Sequence, residues 1–188
     1  MFDTSSQMLN IYGKYSQYML KWQQISLKSG IEINKILETF QGISAKETSR
    51  VILTTDGRII QASTSGTYNG SEITTGIENI KNIWSDNTAS FIQDEQNNLY
   101  VRGSFAGTTY SSFAQVGSYD VKKLLQAGNA VVILTKEGEL YYAGQCTSIP
   151  AMSVQVNEFT QIYPQYLFYD VHLESTDMAA LIKTSGGE

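Results

Sequence analysis

The sequence predicts a mainly β protein, an array of about four repeats of antiparallel strands with an α-helical pair at its N-terminus. In residues 40–188, apolar strand-like runs flank short turn sequences. Each turn follows an apolar lead segment at the same distance. Residues 1–39 instead show an apolar period of three and four residues, which is typical of helices.

The repeats start near residues 40, 80, 121 and 169, and a turn lies sixteen positions after each start. The predicted turns are Asp56-Gly57, residues 96–98, Glu137-Gly138 and Ser185-Gly186. Asp, Asn and Gly tolerate the positive φ angles that tight hairpins need, so the first three turns, each followed by a second strand, predict hairpins. A repetitive β-sandwich is the alternative, but it should lack the recurrent lead segment.

The preceding strands cover residues 51–54, 89–92, 131–134 and 179–182. Ile52, Ile92, Ile133 and Leu181 each lie four residues before their turn and are predicted to be equivalent, buried core residues. The fourth copy supplies no second strand before Glu188. We expect its open edge to be covered by a neighbouring chain or by further repeats, because folded proteins protect free strand edges.

The N-terminal segment, residues 1–39, is predicted to hold one helix over 5–28 and a second over 31–39. One face of the first helix is rich in aromatic residues, among them Tyr15, Tyr18 and Trp22. Short helices cannot bury an apolar stripe alone. The pair is therefore expected either to cap the repeats, 40–188, or to dock a partner through these aromatic side chains.

The repeat is similar to a known one in two runs, ILTTDGRI at 52–59 and ILTKEGELY at 133–141, the latter followed by Gly144. It resembles the regulator of chromosome condensation family, whose members are β-propellers, over residues 40–188. The resemblance implies a β-propeller-like array, here partial, whose loops present a broad binding face. The family's usual histidine and Trp-Gly are replaced here by Asn129 and Ala143-Gly144.

The founder of that family promotes nucleotide exchange on a small GTPase and binds chromatin. None of its functional loop residues can be matched in this sequence, so the resemblance implies the architecture and not that activity. A regulatory factor acting on a small GTPase remains one functional hypothesis.

Charge argues against nucleic acid and anionic membranes as partners. Residues 1–50 carry six basic and four acidic groups, net +2, and the rest carry seven basic and fourteen acidic groups, net −7. The sum is the formal −5 of the whole chain. An acidic repeat region is a poor surface for phosphate, whose neutralisation by Lys and Arg supplies most non-specific affinity.

Candidate chemistry is weak, so we expect no enzyme activity, cofactor or metal. Cys146 and His172 are the single cysteine and histidine, which argues against disulfides and multi-histidine sites. His172 is interpreted as a structural strand residue and Cys146 as a bystander thiol. Asp94 is interpreted as part of a solvated hairpin tip, and residues 103–107 as a connection between two blades.

The leading hypothesis is a non-catalytic protein-binding or structural module, a subunit of a larger assembly such as a virion. Its partners would be other protein subunits or copies of itself. Tyr163 and Tyr166 flank Pro164 and could form a contact patch, with core packing as the alternative. No signal peptide or membrane-spanning run is visible, which favours the cytoplasm or an assembled particle. A polysaccharide-cleaving enzyme is a third hypothesis, without a carboxylate pair behind it.

Overall fold

A computed structural model describes residues 2–3, 8–16, 19–26, 32–37, 49–63, 71–85, 88–127, 129–173 and 177–183. Strands dominate these ranges, and one short 3-10 helix, Pro150–Met152, interrupts them. None of the helices in the described ranges is long and apolar enough to cross a membrane. The chain divides into two compact units, Met1–Asn87 and Thr88–Glu188.

The first unit begins with an antiparallel sheet where helices were predicted. Its strands are β1 (Phe2–Asp3), β2 (Met8–Ser16) and β3 (Met19–Ser26), in the order β1-β2-β3. Tyr12 pairs with Trp22, and Leu9 pairs with Ile25. The helix over 5–28 is therefore wrong in these strands. Ile, Tyr and Trp favour strands, and their spacing in a short apolar run fits either period.

The first repeat of the chain also starts earlier than predicted. Its sheet has the order β4-β5-β6-β7, formed by β4 (Ile33–Leu37), β5 (Ser49–Thr54), β6 (Ile59–Ser63) and β7 (Ser71–Glu72). The helix over 31–39 is thus wrong, because Ile33–Leu37 pairs with β5. The lead segment was predicted at residues 40–44, by counting sixteen positions back from the turn. Those residues lie outside the described ones. The strand that pairs with β5 is β4, which is separated from β5 by the eleven residues 38–48. Strand β8 (Ile80–Ser85) follows and matches the second predicted lead segment.

The second unit holds the remaining strands, and the predicted hairpins recur in it. They are β9 (Ala89–Asp94), β10 (Asn98–Phe105), β11 (Thr108–Ser118), β12 (Val121–Ala127), β13 (Ala130–Thr135), β14 (Leu140–Gly144), β15 (Val156–Ile162), β16 (Phe168–Leu173) and β17 (Met178–Ile182). Strand β10 pairs antiparallel with both β9 and β11. One four-stranded sheet has the order β12-β13-β14-β15, and β16 pairs with β17.

Three hairpins turn at the predicted positions and close in the same way. In each, a side-chain oxygen of the last strand residue accepts a hydrogen bond from the backbone N–H four residues later. These bonds run from Arg58 to Thr54 Oγ1 (2.9 Å), from Asn98 to Asp94 Oδ1 (2.8 Å) and from Glu139 to Thr135 Oγ1 (3.0 Å). The turn residues Gly57, Asn97 and Gly138 have φ angles of 77°, 67° and 101°, which explains the Gly or Asn at this place.

The buried core follows the repeat, with one exception. Ile52, Ile92 and Ile133 are each 0% exposed, as predicted, whereas Leu181 is 63% exposed. The strand pairs show why the fourth copy differs: Leu124 pairs with Ile133, and Val171 pairs with Ala180. The equivalent of Ile133 is therefore Ala180, and the sequence register of the fourth repeat was off by one residue.

Candidate protein-binding surface

Exposed large apolar side chains concentrate near the C-terminal hairpin of the second unit. Of the eight such residues among those described, six lie on β16, β17 or the turn before them. We call these six the C-terminal apolar surface: Tyr163, Tyr166, Leu167, Tyr169, Leu181 and Ile182. Such a concentration of exposed apolar groups marks an interaction site more often than scattered single residues do.

A tight turn presents the two tyrosines of this surface. The Tyr166 N–H donates to the Tyr163 carbonyl at 2.9 Å, with Pro164 at the second turn position, where its fixed φ is favourable. The two rings flank the buried Phe168 ring, with centroid distances of 6.2 and 6.5 Å. Tyr163 and Tyr166 therefore have one side anchored on the core and the other in solvent, the arrangement that favours aromatic residues at interfaces.

Backbone hydrogen bonds hold this turn against its neighbours. The Phe168 N–H donates to the Gly138 carbonyl at 2.7 Å, which ties β16 to the β13–β14 hairpin. The Lys183 N–H donates to the Leu167 carbonyl at 2.6 Å, which extends the β16–β17 ladder. The C-terminal apolar surface is thus supported by regular backbone pairing rather than by a free loop.

Leu181 of the C-terminal apolar surface differs in burial from its equivalent in the preceding repeat. It pairs with Asp170, as Leu134 pairs with Lys123, so Leu181 and Leu134 occupy equivalent positions. Leu134 is 0% exposed and packs in the core cluster with Phe168 and Val171 of the next sheet. Among the described residues of this unit, no further sheet covers Leu181 in the same way.

Charged groups beside the surface are partly paired. Lys123 Nζ lies 2.5 Å from Asp170 Oδ1. That hydrogen bond, aided by the Val171 N–H, lowers the pKa of the Asp170 carboxyl below its usual value. Lys122 Nζ lies 4.5 Å from the centre of the Tyr169 ring and donates to the Tyr169 carbonyl at 2.5 Å. The polar edge of the surface therefore carries two lysines and one acid.

The structure places only two of the five predicted contact residues here, Tyr163 and Tyr166. Tyr15 and Trp22 lie in β2 and β3, and Tyr18 lies outside the described residues. Sequence reasoning missed Leu181 and Ile182 as exposed residues. The signal for them was the strand register, because a one-residue shift would have aligned Phe168 with the buried Ile80 and Val121.

Other candidate residues have structural roles. Cys146 is buried in the core cluster, with its Sγ 3.2 Å from Ser148 Oγ. Asp94 is buried rather than solvated, and its carboxylate accepts bonds from Asn98 and from the Tyr100 hydroxyl at 3.1 Å. Of the segment 103–107, predicted to connect two blades, residues 103–105 belong to β10 and only Ala106 and Gly107 form the turn to β11, so the segment joins two strands of one sheet.

Comparisons with known proteins identify the fold. No family model matches the sequence, and no curated protein matches it. Human WBSCR16 is similar in structure, with a TM-score of 0.62 and 12% identity over 87% of this chain and 48% of that one. Prp20p from Saccharomyces cerevisiae, described with its binding properties to Gsp1p and histones, gives a TM-score of 0.58 and 13% identity over 80% of this chain and 43% of its own.

Yeast RCC1 (Prp20), in a structure with Kap60 bound, gives a TM-score of 0.62 and 13% identity over 89% of this chain and 48% of that one. The chain thus spans about half the length of the solved structures it matches. At this identity the likeness concerns the fold alone. In fold, the repeated antiparallel sheets of the described residues are similar to those of these RCC1-like β-propeller proteins.

Proposed function

We propose that this chain is a non-catalytic protein-binding module, and that its C-terminal apolar surface binds another hairpin repeat of the same kind. One observation carries the proposal: Leu134 is fully buried by the next sheet, while its equivalent Leu181 is exposed. The β16–β17 sheet covers the Leu134 side with Phe168 and Val171. A strand pair with similar aliphatic and aromatic residues is therefore the occupant that fits the exposed side.

The occupant can come from a second copy of the chain, from another protein or from further repeats of a longer polypeptide. A second copy is the source that can be tested directly. Sedimentation velocity over a range of concentrations should show reversible association of the 188-residue chain. The double variant Leu181→Ser/Tyr169→Ser should raise the dissociation constant at least about tenfold, because it removes exposed apolar contacts.

Val154→Ser is the matched control, since Val154 is an exposed apolar residue of the same unit outside the C-terminal apolar surface. It should leave association unchanged. If the chain stays monomeric at every concentration, a second copy is excluded as the occupant. If the chain associates but the double variant associates equally well, the surface assignment is wrong.

Fold similarity favours regulation of a small GTPase over a virion or other structural role as the wider function. Two of the similar structures are of Prp20, described with binding to Gsp1p and histones in one and to Kap60 in the other. The family resemblance in the sequence permits the same alternative, although none of the family's functional loop residues can be matched here. Whether the chain avoids nucleic acid, as its charge predicts, stays a prediction.

This second candidate has its own test. A panel of small GTPases, each nucleotide-free, GDP-bound and GTP-bound, can be tested for binding by surface plasmon resonance. Binding that is strongest to the nucleotide-free form, with faster release of a fluorescent GDP analogue, would support exchange activity. Equal or absent binding in all three states would rule it out for that panel, and the self-association experiment remains independent of it.

A further inference from the structure

A groove lies between the outer strands β11 and β15 of the second unit, away from the hairpin that carries the C-terminal apolar surface. It encloses about 290 Å³. Its lining includes four aromatic side chains, namely Phe105, Tyr110, Tyr119 and Phe159. Phe105 is buried and forms the floor, whereas the other three rings are half-buried and thus reach both the core and solvent.

The rings that line this groove form a connected series. The Phe105 and Phe159 ring centres lie 5.3 Å apart, and those of Phe159 and Tyr119 lie 5.4 Å apart with planes at 69°. Tyr119 continues the series to Tyr141 at 5.1 Å. Rings at such angles and distances support each other, so their orientation does not depend on a ligand.

Backbone contacts hold Tyr119 in this position. Its N–H donates to the Asn97 carbonyl at 2.9 Å, and its carbonyl accepts from Gln93 Nε2 at 2.5 Å. Gly117 has a φ of 151°, and a Cβ added there would lie 2.3 Å from Cε2 of the Tyr119 ring. The ring therefore occupies the space that any side chain at position 117 would take.

The charged part of the lining is negative. Glu158 is the one acid in the lining, which contains no lysine or arginine. Among the described residues, no basic side chain forms an ion pair with the Glu158 carboxylate. Gln115 Nε2 donates to Asn98 Oδ1 at 3.0 Å, which leaves the Gln115 amide oxygen to accept from a ligand.

The pKa of the Tyr119 hydroxyl is raised, mainly by burial and to a smaller extent by the negative charge of Glu158. The carboxylate is thus close enough to affect this ring electrostatically. A ligand group that matches both the aromatic rings and the Glu158 carboxylate must carry a positive charge and a flat, weakly hydrated surface. Guanidinium has both, since it stacks on aromatic rings and donates up to five hydrogen bonds to carboxylate and amide oxygens.

We propose that the groove between β11 and β15 binds an arginine side chain of a protein partner, stacked on Tyr119 and Phe159 and paired with Glu158. Lysine fits less well, because its ammonium is compact, strongly hydrated and unable to stack. This proposal does not depend on the C-terminal apolar surface or on the identity of the partner. It predicts that a partner presents arginine to this face of the module.

The test uses the full chain and a minimal probe, Nα-acetyl-arginine amide, titrated in an NMR experiment that follows backbone amides. Saturable shifts are expected for residues 117–119 and 157–159, with millimolar affinity. Nα-acetyl-citrulline amide has the same shape without the charge, so it should give no saturable shift at these amides. Nα-acetyl-lysine amide should bind at least about threefold more weakly than the arginine probe.

Variants then assign the site. Glu158→Gln should weaken arginine binding about tenfold, since charge-assisted hydrogen bonds to a carboxylate are lost. Tyr119→Leu should weaken it about threefold or more through loss of stacking. Glu137→Gln, which removes the same charge from an exposed turn outside the groove, should have no effect.

The proposal would be overturned by equal binding of the citrulline and arginine probes, by unchanged affinity in Glu158→Gln, or by shifts confined to other parts of the chain. A tighter complex with trimethyl-lysine than with arginine would also do so, because it would identify an aromatic cage for quaternary ammonium instead. Glu158→Gln alters an exposed side chain, so the result does not depend on how well Tyr119→Leu folds.

Discussion

The third and fourth repeats of the chain place a leucine at the same point of the same strand pair, and the two leucines have opposite environments. Leu134 of β13 is fully buried, and Leu181 of β17 is 63% exposed. Both strands pair antiparallel with the first strand of their repeat. Local structure is therefore shared, and the difference lies in what packs on the sheet.

This difference shows that burial in a repeat protein is a property of neighbours rather than of the single repeat. In the third repeat, one face of β12–β13 is covered by β16, with Phe168, Val171 and the partly buried Ala180 in the contact. The fourth repeat contributes these residues on its own covered face. Its other face carries Leu181, and the sequence of that strand alone does not distinguish the two situations.

The sharpest test of this comparison is to truncate both leucines. Leu134→Ala should lower the free energy of unfolding by about 2–5 kcal/mol, because a cavity opens in a packed core. Leu181→Ala should change it by less than about 0.5 kcal/mol, as is usual for exposed positions. Urea denaturation followed by circular dichroism measures both values.

Equal costs for the two substitutions would break the comparison. A large cost at Leu181 would mean that this side chain is covered in solution, for example by a second copy of the chain. Repeating the measurement at several protein concentrations separates these cases, since stabilisation by association depends on concentration.

The hairpins could be predicted from the sequence because their information is local. Asp56-Gly57 and Glu137-Gly138 specify turns by backbone conformation alone, and the turns lie where they were expected. The buried Ile52 and Ile133 follow from the same register. A turn sequence between two apolar runs can be recognised without information about distant parts of the chain.

The rest could not be predicted, for two physical reasons. In β2 and β3, residues such as Tyr12 and Trp22 fit a helical spacing, but strand pairing brings them opposite each other. These strands follow each other directly, but the residues between them, Gln17 and Tyr18, are not a turn sequence such as Asn-Gly, so nothing in the sequence marks a hairpin here. In the fourth repeat, Phe168 and Tyr169 are both aromatic, so apolar character does not show which of them starts the repeat, although Phe168 is buried and Tyr169 is exposed.

The candidate site was only partly predictable for the same reasons. Tyr163 and Tyr166 could be identified because an aromatic cluster around a proline is visible in the sequence. The exposure of Leu181 depends on the absence, among the described residues of this unit, of a further sheet that packs on it. Likewise, two of the residues that line the groove, Tyr119 after β11 and Phe159 in β15, are far apart along the chain.

A smaller loss of stability is expected from a substitution in the turn of the β13–β14 hairpin, where Gly138 contacts Phe168. A Cβ on Gly138 would lie 2.8 Å from the Phe168 carbonyl oxygen, and the residue has a φ of 101°. Gly138→Ala should therefore destabilise the chain by about 1–3 kcal/mol, from backbone strain and from displacement of β16. Thermal unfolding provides the measurement.

Gly76→Ala is the control for this substitution. Gly76 also has a positive φ, 75°, but no heavy atom lies within 4 Å of its would-be Cβ. Its cost should be limited to the backbone term of about 1 kcal/mol. If Gly138→Ala proved no worse than Gly76→Ala, the contact between the β13–β14 hairpin and Phe168 would contribute little to stability.

The smallest expected change in stability concerns Asp170, which contacts one of two lysines at equivalent positions in the first strands of their repeats. Lys35 pairs with Leu53 and donates to Asn82 at 2.9 Å, and Lys123 pairs with Leu134 and contacts Asp170. The Asp170 pKa is lowered in the folded chain, first by the bond from Lys123. A depressed pKa means that this contact stabilises the fold above the unfolded value of about 3.9 and that the contribution is lost as pH falls through the folded pKa.

Because the pair is exposed, Asp170→Asn should lower the melting temperature at pH 7 by no more than a few degrees, and less in high salt. Once the pH is below the folded pKa of Asp170, the variant and the parent chain should converge, since a protonated Asp170 and an asparagine are both neutral. A difference that persists unchanged down to pH 2 would show that the Asp170 charge is not what the substitution removed.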